Sequence, residues 1–189
     1  MARGGTRSAD DWVDAAYERF DAGGLGAVKV EAVARDLGTT KGSFYWHFAD
    51  RPALVRAVTV RWEARETDRF IARAERPGGS PQERLARLFS EVAERNRVRD
   101  GEAALYREAE AEGVADIVRR VSERRVASLT ELIGALGIEV GEARRRAVAS
   151  LAMVLGMQQL AHVRYEAHVD EAALTATALA MATSGVVAS

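Results

Sequence analysis

The chain has 189 residues, no cysteine and a net charge of −1, with 27 Lys and Arg against 28 Asp and Glu. The lack of cysteine excludes a disulfide framework and suits a reducing cytoplasm. No run of about 18 apolar residues is present, which argues against a membrane-spanning helix, and the start Met1-Ala-Arg-Gly-Gly-Thr-Arg7 reads as a flexible basic arm rather than a secretory signal.

Hydrophobic residues make up 48% of the chain and only 3 are proline, so an all-α fold with an ample core is expected. A first helix is predicted over 8–22. Ser8 and Asp11 have capping-box spacing, Trp12, Val13, Ala16, Tyr17 and Phe20 form its apolar stripe, and Gly23-Gly24 ends it. A second helix, Val30 to Leu37, begins at Lys29 or Val30 without a side-chain cap. It is stopped by Gly38, where a left-handed helix end favours a residue without a side chain.

Thr39 to Phe48 reads Thr-Thr-Lys-Gly-Ser-Phe-Tyr-Trp-His-Phe and is the stretch around which the chain is organised. Thr40 has the chemistry of a helix cap. Phe44 and Phe48 share a face suited to packing inward, which leaves Lys41, Ser43, Tyr45, Trp46 and His47 to project elsewhere. A helix, a three-residue turn with glycine and a second helix make a helix-turn-helix. A cation, a hydroxyl and polar-tipped aromatics on the second helix suit the major groove and phosphates of DNA. Composition alone would not suggest this: the cations and acids of residues 1–56 balance, eight against eight, with five of the acids on the first helix.

Asp50 is placed to cap the next helix, with Pro52 in its first turn, and one long helix is predicted over 51–75. Arg76-Pro-Gly-Gly-Ser-Pro81 breaks the chain. Ser80 and Glu83 then form a second capping box ahead of a helix over 81–98. Helices follow at about 101–111, 114–136 and 141–166. The last, 171–187, is apolar almost all round, which calls for burial from more than one side, as at the interface of a dimer.

Residues 8–56, above all Ala34-Arg-Asp-Leu-Gly-Thr-Thr-Lys-Gly-Ser-Phe-Tyr-Trp-His-Phe-Ala-Asp-Arg-Pro-Ala-Leu54, resemble the DNA-binding domain of TetR-family (tetracycline-repressor-like) transcription regulators. The resemblance implies an N-terminal three-helix DNA-binding domain (1–50) and a C-terminal helical bundle for ligand binding and dimerisation (51–189). It implies that Lys41, Gly42, Ser43 and Tyr45 face bases. Thr40, Tyr45, His47 and Arg51 would hold phosphates, Trp46 could do either, and Lys29 lies nearby. The partners implied are a double-stranded DNA operator, a second copy of the chain and a small, largely apolar effector. No cofactor, metal or membrane is implied, and a ligand-released repressor is the family's usual mode.

Candidate effector contacts are Trp62, Phe70, Phe89, Tyr106, Ile133, Met153, Met157, Gln158 and His162, against the plainer reading that each is core. Gln158 and His162 are a polar pair four apart on an apolar face and need hydrogen-bond partners. Leu151, Leu155, Leu174 and Leu179 are candidates for the dimer interface. The alternative is a helical small-molecule-binding protein or enzyme with a degenerate head. His162 and Glu166 have a spacing that can hold a metal, but a lone pair is a weak signal and no phosphate loop is present.

Overall fold

The computed structural model describes residues 7–96, 100–162 and 171–184; the side chains of 95, 96, 100, 161, 162 and 171 fall outside the description. Among these residues the regular structure is helical: α1 (Ala9–Gly23), α2 (Val30–Asp36), α3 (Lys41–Phe44), α4 (Arg51–Trp62), α5 (Asp68–Ala74), α6 (Pro81–Asn96), α7 (Asp100–Glu108), α8 (Ala115–Gly134), α9 (Val140–His162) and α10 (Glu171–Thr183). None is long and apolar enough to cross a membrane. Two compact units form, residues 1–65 with 99–118 and residues 66–98 with 119–189. The first therefore holds α7 as well as the N-terminal helices.

In the first unit, α1 carries the expected capping box. Ser8 N–H donates to Asp11 Oδ2 at 2.8 Å and Asp11 N–H donates to Ser8 Oγ at 3.2 Å. The Ser8 N–H, together with the Ser8 hydroxyl 3.0 Å from the same oxygen, holds the Asp11 carboxyl below the usual carboxylate range. The buried stripe is the one read from the sequence, Trp12, Val13, Ala16, Tyr17 and Phe20. α1 ends at Gly24, whose φ of 74° suits glycine. A 3-10 turn, Leu25–Ala27, leads into α2. Asp50 caps α4 by accepting from Ala53 N–H at 2.8 Å.

The long helix expected over 51–75 is interrupted. Between α4 and α5 the chain widens into a π turn, Glu63–Thr67, with Glu66 and Thr67 buried. A π turn adds a residue to the helical repeat, and the shift in phase turns these two polar residues inward.

The second unit is built on a core that includes Leu85, Leu88, Phe89, Leu129, Ile133 and Ala147, with Phe70, Leu151, Met153 and Leu179 packed against it. Ser80 and Glu83 cap α6 reciprocally, at 2.7 and 3.2 Å. The last carbonyls of α10 are met by a cation, as favoured at a helix C-terminus: Arg146 Nη1 donates to Ala182 O at 3.3 Å and Ser184 O at 2.7 Å.

Candidate nucleic-acid interface

α3 is fixed against α1 by one aromatic anchor. Phe44 is fully buried, edge-on to Trp12 at 5.3 Å and stacked with Phe48 at 5.5 Å between ring centroids. The turn between the helices closes on Gly38, φ 61°, with Thr39 N–H donating to Ala34 O at 2.9 Å. α3 is shorter than expected. It ends at Phe44, and the chain continues in hydrogen-bonded turns, with His47 N–H donating to Phe44 O at 2.9 Å.

That anchor leaves its neighbours outside. Tyr45 is 59% exposed and Trp46 86%. Lys41 and Thr40 are exposed, and His47 is half-buried. Thr40 sits at the N-cap but its side chain makes no capping bond. The hydroxyl engaged locally is that of Ser43, which donates to Thr40 O at 2.9 Å and lies 3.0 Å from Thr39 Oγ1. A Cβ on Gly42 would stand 3.6 Å from Thr40 Oγ1, so the protein's own packing does not require glycine there.

The neutral charge of the head conceals a sorting of its cations. Arg19 pairs with Asp36, Arg56 with Asp116, Arg61 with Asp10 and Asp14, and Arg65 with Asp14. Arg7, Lys29 and Arg35 are exposed and form no ion pair among the described residues. Arg7 instead donates through Nε to Leu37 O at 3.0 Å, which brings it to the helix-turn-helix turn. Sequence reasoning did not single out Arg7 or Arg35; both could have been found by asking which cations the acids of α1 leave over.

Arg51 departs from the expected phosphate contact. Its Nε donates to Val28 O at 2.8 Å, Nη2 donates to Leu25 O at 2.8 Å, and Nη1 and Nη2 bind the Glu112 carboxylate at 2.7 and 2.9 Å. A guanidinium fork engaged on all three nitrogens is a brace for the turn before α2.

The candidate effector residues are divided between the two units. Trp62 and Tyr106 belong to the first unit, Trp62 within its core. Phe89 and Ile133 are core residues of the second unit, which makes them packing groups. Phe70 and Met153 are half-buried against that core, with the Arg125 guanidinium 5.8 Å from the Phe70 ring centroid. Gln158 is buried and Met157 half-buried. The His162 side chain and Glu166 lie outside the described residues.

The candidate dimer leucines face inward more than expected: Leu151 and Leu179 pack on their own core, and Leu155 and Leu174 are half-buried. Small side chains make up most of what is left outside. Among the exposed apolar residues are Val148, Ala149, Ala152, Gly156 and Leu160 on α9, and Ala173, Ala176, Ala180 and Met181 on α10. Their spacing of three and four residues gives each helix one stripe.

A helix-turn-helix with an aromatic and cationic outer face, followed by further helices, defines the class: an all-α DNA-binding protein. Residues 13–58 match the family model described as bacterial regulatory proteins, tetR family, so this N-terminal segment carries the DNA-binding domain of that family. None of the curated proteins matches it in sequence. Among solved structures, reduced NemR of E. coli is similar with a TM-score of 0.77 at 16% identity, over 95% of this chain and 96% of that one. A TetR-family regulator of Agrobacterium tumefaciens gives 0.73 at 24% identity, over 90% and 95%. FadR of Bacillus subtilis, in complex with stearoyl-CoA, gives 0.60 at 18% identity, over 95% and 100%. At these identities the likeness is one of fold.

Proposed function

We propose that the protein is a ligand-responsive repressor that binds a palindromic operator as a homodimer. The observation that carries this is the outer face of α3. Phe44 is buried while Lys41, Tyr45 and Trp46 stand in solvent beside it, an arrangement with no packing purpose and with the donors and stacking surface that a groove needs. Lys41, Gly42, Ser43 and Tyr45 meet bases. Lys29, Thr40, His47, Arg7 and Arg35 meet phosphates, and Trp46 packs on sugar or phosphate at the edge. Arg51 holds the head in shape.

The stripes on α9 and α10 are the surface for the second copy, since small residues let helices approach closely and four such helices bury one another. The effector is a small, largely apolar molecule seated in the second unit near Phe70, Met153, Met157 and Gln158, where a few polar groups sit among apolar ones. The stearoyl-CoA bound by the similar FadR fold is in keeping with an apolar ligand. Release requires that the effector prefer the DNA-incompetent state, typically by ~1–3 kcal/mol of coupling. Footprinting on the DNA upstream of the protein's own gene tests the reading. Two protected half-sites about one helical turn, ~34–36 Å, apart are expected; uniform or absent protection there and at every other palindrome in the genome would refute it.

A further inference from the structure

Glu31 is out of place on a face built for DNA. It lies exposed in the first turn of α2, and a carboxylate near phosphates weakens binding to any sequence. It reaches across to α3, where Lys41 Nζ donates to Glu31 Oε1 at 2.5 Å. Both side chains remain more than half exposed, 52% for Lys41 and 61% for Glu31. An ion pair so exposed adds little to stability, so the fold does not account for it. The pair keeps both groups charged: the bond to Glu31 holds Lys41 above the usual amine range, and Lys41 holds Glu31 below the usual carboxylate range. Lys41 opens α3, so the pair lies beside the proposed reading head.

We infer that Glu31 and Lys41 together read one G·C base pair in each half-site, Lys41 donating to guanine and Glu31 accepting from cytosine. The inference rests on the DNA-binding reading above. In the major groove guanine offers O6 and N7 as acceptors and cytosine offers its N4 amino group as donor. O6 and N4 are themselves hydrogen-bond partners, about 2.9 Å apart. The ammonium and carboxylate stand 2.5 Å apart, so one donor and one acceptor on the protein face one acceptor and one donor on the base pair without the ion pair having to open. A T·A pair also offers an acceptor beside a donor, but its methyl group crowds the thymine O4 and the adenine N7 faces the carboxylate with a lone pair. With guanine and cytosine exchanged between strands, like groups meet.

Selection of full-length protein against a random duplex pool tests this, with the parent, Glu31→Gln and Glu31→Ala run side by side. Glu31 is exposed, so all three should melt alike. The parent should enrich a palindromic motif with G·C at one position of each half-site, favoured about ten-fold over A·T. Glu31→Gln should shift that position toward adenine, because a glutamine amide pairs with adenine N6 and N7. Glu31→Ala should lose the preference there and bind scrambled DNA more tightly than the parent does. Both variants enriching the parent's bases at every position would overturn the inference while leaving the DNA-binding reading intact. A folded parent that enriches no motif would overturn both.

Discussion

Arg51 and Glu112, 61 residues apart, are joined by two parallel hydrogen bonds of 2.7 and 2.9 Å. The same guanidinium donates to the carbonyls of Leu25 and Val28, so one side chain ties the segment after α7 to the turn before α2. Close by, Glu108 Oε2 accepts from Leu25 N–H at 2.7 Å. The turn that leads into the helix-turn-helix is therefore set by two acids far along the chain.

Arg51→Ala should destabilise the fold by about 2 kcal/mol, because two carbonyls and a partly buried carboxylate lose a charged donor. Glu112→Gln, which keeps the shape and one acceptor, should cost about half as much. Urea denaturation measures both. A phosphate-binding Arg51 would behave the other way, with unchanged stability and weaker DNA binding.

Gly101 tests the neighbouring contact of α7 with α1. A Cβ there would lie 2.1 Å from Phe20 O, a backbone atom with nowhere to go. Gly101→Ala should cost about 3 kcal/mol or more through forced displacement of α7 from α1. Gly113→Asn, at φ 68° with nothing within 4 Å, should cost less than 1 kcal/mol, since asparagine tolerates the left-handed region. Thermal melts of the two variants should separate clearly.

Phe44 and Trp46 should divide stability from binding. Phe44→Ala should cost about 3–5 kcal/mol, as for a fully buried aromatic. Trp46→Ala and Tyr45→Ala should leave the melting curve within about 0.5 kcal/mol of the parent and weaken DNA binding. A Trp46 variant that binds DNA as the parent does would remove it from the interface.

The helix-turn-helix and the first core were legible because α1 and α2 repeat their apolar residues at helical spacing and Gly38 marks the turn. Phe44 and Phe48 followed from the same rule. The brace was not legible, because Arg51, Glu108 and Glu112 carry no periodic signal and look like ordinary surface charges. The orientation of α9 and α10 was also hidden. An alanine-rich helix has nearly the same hydrophobicity on every side, so only packing reveals that Leu151 and Leu179 turn inward and that Ala152, Gly156 and Ala176 stay outside.

That orientation predicts the dimer contact. Ala176→Glu should give a folded monomer in sedimentation velocity, because it places a charge on the exposed stripe. Leu179→Glu should instead lower stability, since Leu179 packs on its own core. A dimeric Ala176→Glu protein would locate the interface elsewhere.

Acid should destabilise the protein. Asp11, Asp36, Asp116 and Glu139 all titrate below their usual range, held there chiefly by hydrogen bonds from Ser8, Arg19, Arg56 and the Gly141 N–H. Depressed folded-state values add stability that is fully present above the ordinary carboxylate range and lost as pH falls through and below it. Urea midpoints should therefore be flat from neutral pH to about pH 5 and fall below that.

The most direct test of the central claim is fluorescence anisotropy of the purified protein with its selected DNA site, against a scrambled competitor, over a range of salt. The account predicts tight binding that resists the competitor and weakens steeply and linearly in log salt. Equal binding to selected and scrambled DNA, or none to either by a folded dimer, would contradict it.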